Sequence, residues 1–424
     1  MRQISGVTGG VRAGYATGSF VTGAFGTVPG LLLLPYLTDG LAVPAAVAGL
    51  LVLVPKAWDV LFNPVAGRIS DAAGVRRPFL LRGGLATAVL FALLFAGPFT
   101  GTGAAVYVAL VFLLCATAYA FFQVPYVAMA AEITDDYDER TRLMAWRMAF
   151  LALAILVSGA GAPAVRDLLG YPGMGASVAA LMVLGTVVTY VGTRGVPVSR
   201  RVASSASFGE LWAAVRGSRP FRLLLAVFVV QAVGLGTMLA GVDYFARLVL
   251  GDRSLQTLLF AGFVGPALLV MPLWQRVGAR WGKRVGLVAA SLLFAVAVLG
   301  LLFSRVLPVG AVLALMAVVG VGYAGMQVFP LAMLPDVITA EERRVGATRA
   351  GLFSGVWTAG ETLGLALGPG VYGLVLALGG YVASTDGSAA QPSGAVTAAL
   401  LGFTAIPAVL AVAALPLLRE ERSA

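Results

Sequence analysis

The chain has 424 residues, of which 59% are hydrophobic and only 11% charged, and its formal net charge is +10. A soluble globular protein carries about 25% charged residues because its surface needs them, so a soluble enzyme, a disordered chain and a disulfide-stapled secreted domain are excluded. Cys115 stands alone and histidine is absent, which removes internal disulfides, imidazole ligands and imidazole proton relays. The positive charge would suit nucleic acid, but it sits in short loops between apolar runs, the pattern of a membrane protein. No nucleic-acid partner is expected.

Read in chain order, apolar runs long enough to cross a bilayer lie near 15–38, 44–66, 79–98, 103–131, 143–163, 174–193, 221–246, 255–275, 284–304, 309–334, 351–378 and 396–418. The reading is an all-α polytopic protein with twelve transmembrane helices. The first run is long, Gly-rich and followed by further spans, so it reads as a span and not as a cleavable signal. With the N-terminus inside, the inside segments hold 23 Lys and Arg and the outside loops 4, which predicts both termini in the cytoplasm. The Ser- and Arg-rich segment 194–220 divides the chain into an N-terminal six-helix bundle, 1–193, and a C-terminal one, 221–424. Within the linker, Phe208 to Val215 is a short amphipathic piece.

The halves repeat. Pro125, Ala128, Met129, Glu132 and Ile133 face Pro330, Ala332, Met333, Asp336 and Val337, and each set runs off a span into an acidic-then-basic loop. The loop GRISDAAGVRRP (67–78) has a weaker echo in WQRVGARWGKR (274–284). A tandem six-span duplication is the parallel repeat of alternating-access transporters, with a pseudo-two-fold axis along the membrane normal. Glu132 and Asp336 occupy equivalent span ends. They read either as a charge latch or as solvated helix ends.

The loop between spans 2 and 3, with Asp71 and Arg77, resembles the signature of the major facilitator superfamily. Three further stretches resemble its glycoside–pentoside–hexuronide:cation symporters: YLTDGLAVPAAVAGLLVLVPKAWDVLFNP (36–64), VPYVAMAAEITDDYDERTRLMAWR (124–147), and AMLPDVITAEERRVGATRAGLFSGVW (332–357) with LGLALG (363–368). The resemblance implies two six-helix bundles around a central cavity and secondary transport. It makes Asp71, Arg77, Glu132 and Asp336 the candidate gating residues.

Ionisable side chains inside a bilayer are expensive and mark functional candidates. Lys56, Asp59 and Asn63 share one face of span 2, with Asp59 about 22 Å from the outer end at 1.5 Å per residue. Asp59 either binds a cation or proton with Lys56 tuning its charge, or simply neutralises Lys56. The resemblance places two cation-coupling aspartates here, four residues apart; this chain keeps Asp59 and replaces the second by Asn63. That loss of a negative charge favours H⁺ over Na⁺. The resemblance also implies sugar-binding acids on spans 1 and 4, where this chain has Val28 and Gln123, and a span-11 lysine, where it has Thr362. Its span-5 arginine is present as Arg147. Trp58 and Trp357 are aromatic candidates for the same pocket. Glu361, ~15 Å into span 11, reads either as a proton-titrating coupling carboxyl or as a structural buried acid. Asp243, near the outer end of span 7, reads either as a further in-span functional carboxyl or, with Arg247 four residues on, as half of a plain surface pair, which the spacing favours.

The expectation is a monomeric, multi-pass protein of a bacterial inner membrane that moves a small organic or lipid-like solute, without a cofactor other than Na⁺ or H⁺ as coupling ion. Two alternatives stand beside it: a lipid or lysolipid transporter or scramblase without ion coupling, and a sugar symporter with an altered site. No Walker loop and no nucleophile with its base are visible, so neither ATP-driven transport nor an enzyme is expected.

Overall fold

The computed structural model describes residues 8–73, 76–134, 136–194, 216–345 and 350–419. The linker 195–215, the amphipathic piece within it and both chain ends lie outside the described residues, as does the side chain of Asp71. The described residues are helical throughout their length apart from short connections. Each helix persists because in an apolar medium only a helix satisfies every backbone N–H and C=O within one segment.

In chain order the helices are α1 (Gly9–Asp39), α2 (Ala45–Ala73), α3 (Arg77–Leu94) and α4 (Gly101–Ile133). The helical stretch Tyr137–Gly192 is broken at Gly170, whose φ of 72° and ψ of 178° only glycine adopts readily. It therefore supplies two spans, α5 (137–169) and α6 (171–192). There follow α7 (Arg219–Val249), α8 (Leu255–Trp281), α9 (Lys283–Phe303), α10 (Val309–Val345), α11 (Ala350–Leu378) and α12 (Ser393–Leu418). Eleven helical stretches among the described residues are long and apolar enough to cross a membrane. Division of the longest at Gly170 makes twelve spans, as the apolar runs predict.

The chain forms two compact units, one of Met1–Pro29 with Val54–Ser205 and the other of Gly30–Leu53 with Ala206–Ala424. α1 and α2 thus contribute to both, and each carries a proline at the division. A π-helical turn, Pro29–Leu33, interrupts α1, and Pro55 lies within α2. Proline lacks the N–H that would bond the carbonyl four residues earlier, so both helices have loosened backbone there.

Within the second unit a stripe of glycines on α11 sets the packing. A β-carbon on Gly364 would come within 2.9 Å of the Val229 backbone, and one on Gly368 within 2.1 Å of Gly236, so only glycine admits this approach of α11 to α7. The same ridge positions Glu361 against α7. In the first unit, Gly14 of α1 and Gly192 of α6 meet in the same manner, each leaving under 3 Å for a side chain on the other.

Candidate coupling and gating sites

In the first unit, α2 is set against α4 by Trp58, whose indole N–H donates to Thr117 Oγ1 at 3.0 Å. Phe62 packs edge-on against Phe121, with ring centroids 5.6 Å apart. These contacts run in parallel register, and Asp59 and Asn63 each stand one position beyond them on α2. Asp59 is buried, 5% exposed. Among the described residues its Oδ1 has no hydrogen-bond partner, and neither do Asn63 Oδ1 and Gln123 Oε1. Each is an enclosed oxygen acceptor without a donor, and the Asp59 carboxyl is one that a proton or a cation would complete.

Lys56 takes a different partner from the one its spacing suggests. Its ammonium donates to the Phe25 carbonyl at 3.3 Å and lies 4.2 Å from the centre of the Phe25 ring. That carbonyl is available because the residue four positions on is Pro29, which has no N–H to give it. Phe25 in turn stacks on Tyr119 of α4. The lysine is thereby held by α1, and among the described residues it makes no ion pair with Asp59. Mutual neutralisation by direct contact is therefore not the arrangement adopted.

The other predicted substrate residues occupy varied surroundings. Val28 is fully buried beside the π-turn. Arg147 lies 5.3 Å over the Tyr126 ring, with Nε unpartnered, and its backbone carbonyl accepts from Ser19 Oγ at 3.1 Å. Trp357 is buried and stacks on Phe228, its indole N–H without an acceptor. Thr362 donates to the Thr358 carbonyl of its own helix at 2.9 Å. Glu361 borders a cavity within the second unit that Gln327 also lines.

The two repeats build equivalent ion pairs at their arginine-rich ends. Arg76 Nε meets Glu132 Oε1 at 2.5 Å, and Lys283 Nζ meets Asp336 Oδ2 at 2.5 Å. Arg76, not the neighbouring candidate Arg77, takes the acid; among the described residues Arg77 Nε and Nη2 have no hydrogen-bond partner.

Sequence reasoning saw one cluster only in part, as the spacing of Asp243 and Arg247. Asp39, at the end of α1, is 4% exposed, and its carboxylate accepts from Arg247 at 2.8 Å and from the Tyr381 hydroxyl. Arg247 lies 3.7 Å from Asp243, which also accepts from Arg253 at 3.1 Å. Asp243 is completely buried, which overturns its reading as half of a surface pair: α7, α1 and the segment after α11 enclose it. Tyr381, beyond the end of α11, stays a protonated donor because burial pushes its phenol up. Thr38 bonds the Tyr244 hydroxyl at 2.7 Å, and the backbones of Thr38, Ala42 and Ser384 exchange two hydrogen bonds. Beside the Asp243–Arg247 spacing, the other available signal was the acid of the YLTD motif, to which the sequence alone assigns no role.

Comparison with known proteins fits this architecture. Residues 14–419 match the family model described as MFS/sugar transport protein, and the chain belongs to that family. It is a secondary active transporter of the major facilitator superfamily, of the glycoside–pentoside–hexuronide symporter type, a membrane protein of a bacterial inner membrane with a small-molecule substrate. The uncharacterized symporter YnaJ of Bacillus subtilis is 27% identical over 95% of this chain and 89% of its own length. The putative glycoside/cation symporter YagG of Escherichia coli is 27% identical over 94% and 88%. Among solved structures, a point mutant of the nucleoside transporter NupG superposes with a TM-score of 0.70 at 14% identity, covering 96% of this chain and 98% of that one, a likeness of fold.

Proposed function

We propose that the protein couples uptake of a small organic or amphipathic solute to an inward H⁺ gradient, with Asp59 as the coupling carboxyl and both termini in the cytoplasm. The observation that carries this is the enclosed, partnerless Asp59 Oδ1, one helical turn from the equally partnerless Asn63 Oδ1. A sodium ion prefers several oxygens and a local excess of negative charge; here there is one carboxylate, and Lys56 lies one turn away on the same face. A proton needs only the carboxyl and an acceptor, which Asn63 supplies. Names of relatives such as the putative glycoside/cation symporter support ion coupling. Val28 and Gln123, in place of acids, argue against simple galactosides, and melibiose is expected not to bind.

The test has two stages. A thermal-unfolding screen of purified protein against glycosides, lysolipids and small organic solutes identifies a substrate, because a ligand that binds the folded state raises its apparent stability. Uptake into vesicles with imposed pH or Na⁺ gradients then reads coupling. Accumulation driven by the pH gradient, lost in Asp59→Asn while downhill exchange persists, is the expected result. Accumulation in Asp59→Asn equal to that of the parent would refute the assignment.

A further inference from the structure

The second unit holds a small, partly open cavity walled by α7, α9, α10 and α11. Six of its ten lining residues carry its chemistry: Phe228, Gln231, Phe294, Tyr323, Gln327 and Glu361; the other four are apolar. No arginine or lysine lines it. Its one formal charge is therefore the Glu361 carboxylate, set in an apolar surround where an uncompensated anion is costly.

The amide orientations follow from the hydrogen bonds. Ser291 Oγ donates to the Leu287 carbonyl at 2.8 Å, so it can only accept from Gln231, whose Nε2 lies 2.9 Å away. Gln231 Oε1 is then the free end of that amide. It is enclosed, without a partner, on a residue only 4% exposed. Gln327 Nε2 donates to Tyr323 Oη at 2.8 Å. Beside the Tyr323 O–H and the second N–H of Gln231, which remain as donors, the cavity offers a carboxylate with no cationic side chain in the lining, an orphan amide oxygen, and the rings of Phe228, Phe294 and Tyr323.

We infer that this cavity is a binding site for an organic ammonium group carried on a short apolar chain. The positive charge compensates Glu361, an N–H satisfies Gln231 Oε1, the aromatic rings favour a cation near their faces, and the apolar wall takes the alkyl part. A bare metal cation fits less well, because six of the ten lining residues, the two phenylalanines among them, offer no oxygen side chain to replace its hydration shell. A neutral polyol leaves the carboxylate uncompensated. The inference rests on the second unit alone and does not require coupling at Asp59.

The experiment compares butylammonium chloride with 1-butanol, similar in size and differing in charge, as stabilisers of the purified protein in thermal unfolding at constant ionic strength. No ion gradient is involved, so the outcome is separable from the proton-coupling reading. Saturable stabilisation by butylammonium and none by butanol is expected. Glu361→Gln should weaken butylammonium at least tenfold, and Leu365→Phe, which adds bulk to the wall, should do the same. Equal stabilisation by both compounds, no saturable response to butylammonium, or undiminished affinity in a folded Glu361→Gln protein overturns the inference. The comparison of the two compounds on the parent protein stands even where a variant does not fold.

Discussion

The two repeats make the same ion pair in two different media. Arg76–Glu132 and Lys283–Asp336 have equal lengths, 2.5 Å, and equivalent places at the arginine-rich ends of their units. The side chains of the first are 8% and 5% exposed, those of the second 41% and 64%. Coulomb attraction at equal distance scales inversely with the local dielectric, and so does the cost of stranding one partner. Duplication has preserved the geometry of the contact but not its energetics. A pair of this kind is a strong constraint in the first unit and a weak, exchangeable one in the second. Arg76 also reaches Ser70 Oγ at 3.5 Å, whereas Lys283 divides its ammonium between Asp336 and the Ala332 carbonyl at 2.9 Å.

The largest effect expected from this contrast lies in neither pair but in the cluster that extends the buried case. Arg247→Leu leaves Asp39 and Asp243 enclosed, with one guanidinium, that of Arg253, for the two carboxylates. Removing one partner of a single buried pair costs roughly 3–5 kcal/mol, and Arg247 serves two acids. Thermal unfolding should show Arg247→Leu as the most destabilised charge variant in the chain. A loss smaller than that of Glu132→Ala would break the link between burial and cost on which the comparison depends.

Second in size is Glu132→Ala, which removes the carboxylate that meets the buried Arg76 guanidinium and should cost about 3–5 kcal/mol. Glu132→Gln should recover part of this, since the amide oxygen still accepts from Arg76 Nε. The two variants together separate loss of charge from loss of the hydrogen bond. Identical unfolding temperatures for the Ala and Gln variants would mean that the charge, and not the contact, carries the stability.

How far these sites were legible in the sequence follows from how their parts are spaced along the chain. Spans are local: twenty apolar residues bounded by arginines announce themselves, and even the break between α5 and α6 is marked by the Gly170–Tyr171–Pro172 run. The repeat was legible because Glu132 and Asp336 end helices whose apolar patterns match. That each has a basic partner was a matter of neighbouring loops. Which one it was, Arg76 and not Arg77, depends on the angle at which α3 leaves its loop, and residue type does not encode that. Asp39 and Arg247 stand 208 positions apart, and no local pattern joins them. Asp243 misled because an arginine four residues on suggests a surface pair, while its shorter contact is to Arg253, beyond the end of the helix. The face shared by Lys56, Asp59 and Asn63 was evident from helical periodicity. The capture of Lys56 by Phe25 was not, since it follows from a carbonyl freed by Pro29 on another helix.

The smallest effect belongs to the exposed pair and tests the comparison from the other side. Lys283 and Asp336 are both solvated, so their attraction is weakened by water and by the entropy of holding two mobile side chains together. Such pairs contribute about 0–1 kcal/mol. Lys283→Ala should therefore shift the unfolding temperature little, and the shift should shrink further as salt rises, because at 1 M the screening length falls to about 3 Å. Glu132→Ala should behave oppositely: its larger loss should persist at high salt, since ions do not enter the buried pair. Salt titration of both variants beside the parent gives the decisive pattern. If the two losses screen alike, Arg76 and Glu132 are as accessible to ions as Lys283 and Asp336, and the repeats differ in sequence only. If only the Lys283→Ala loss is screened, burial sets the difference between the repeats, and the contact in the second is the one that opens at little cost.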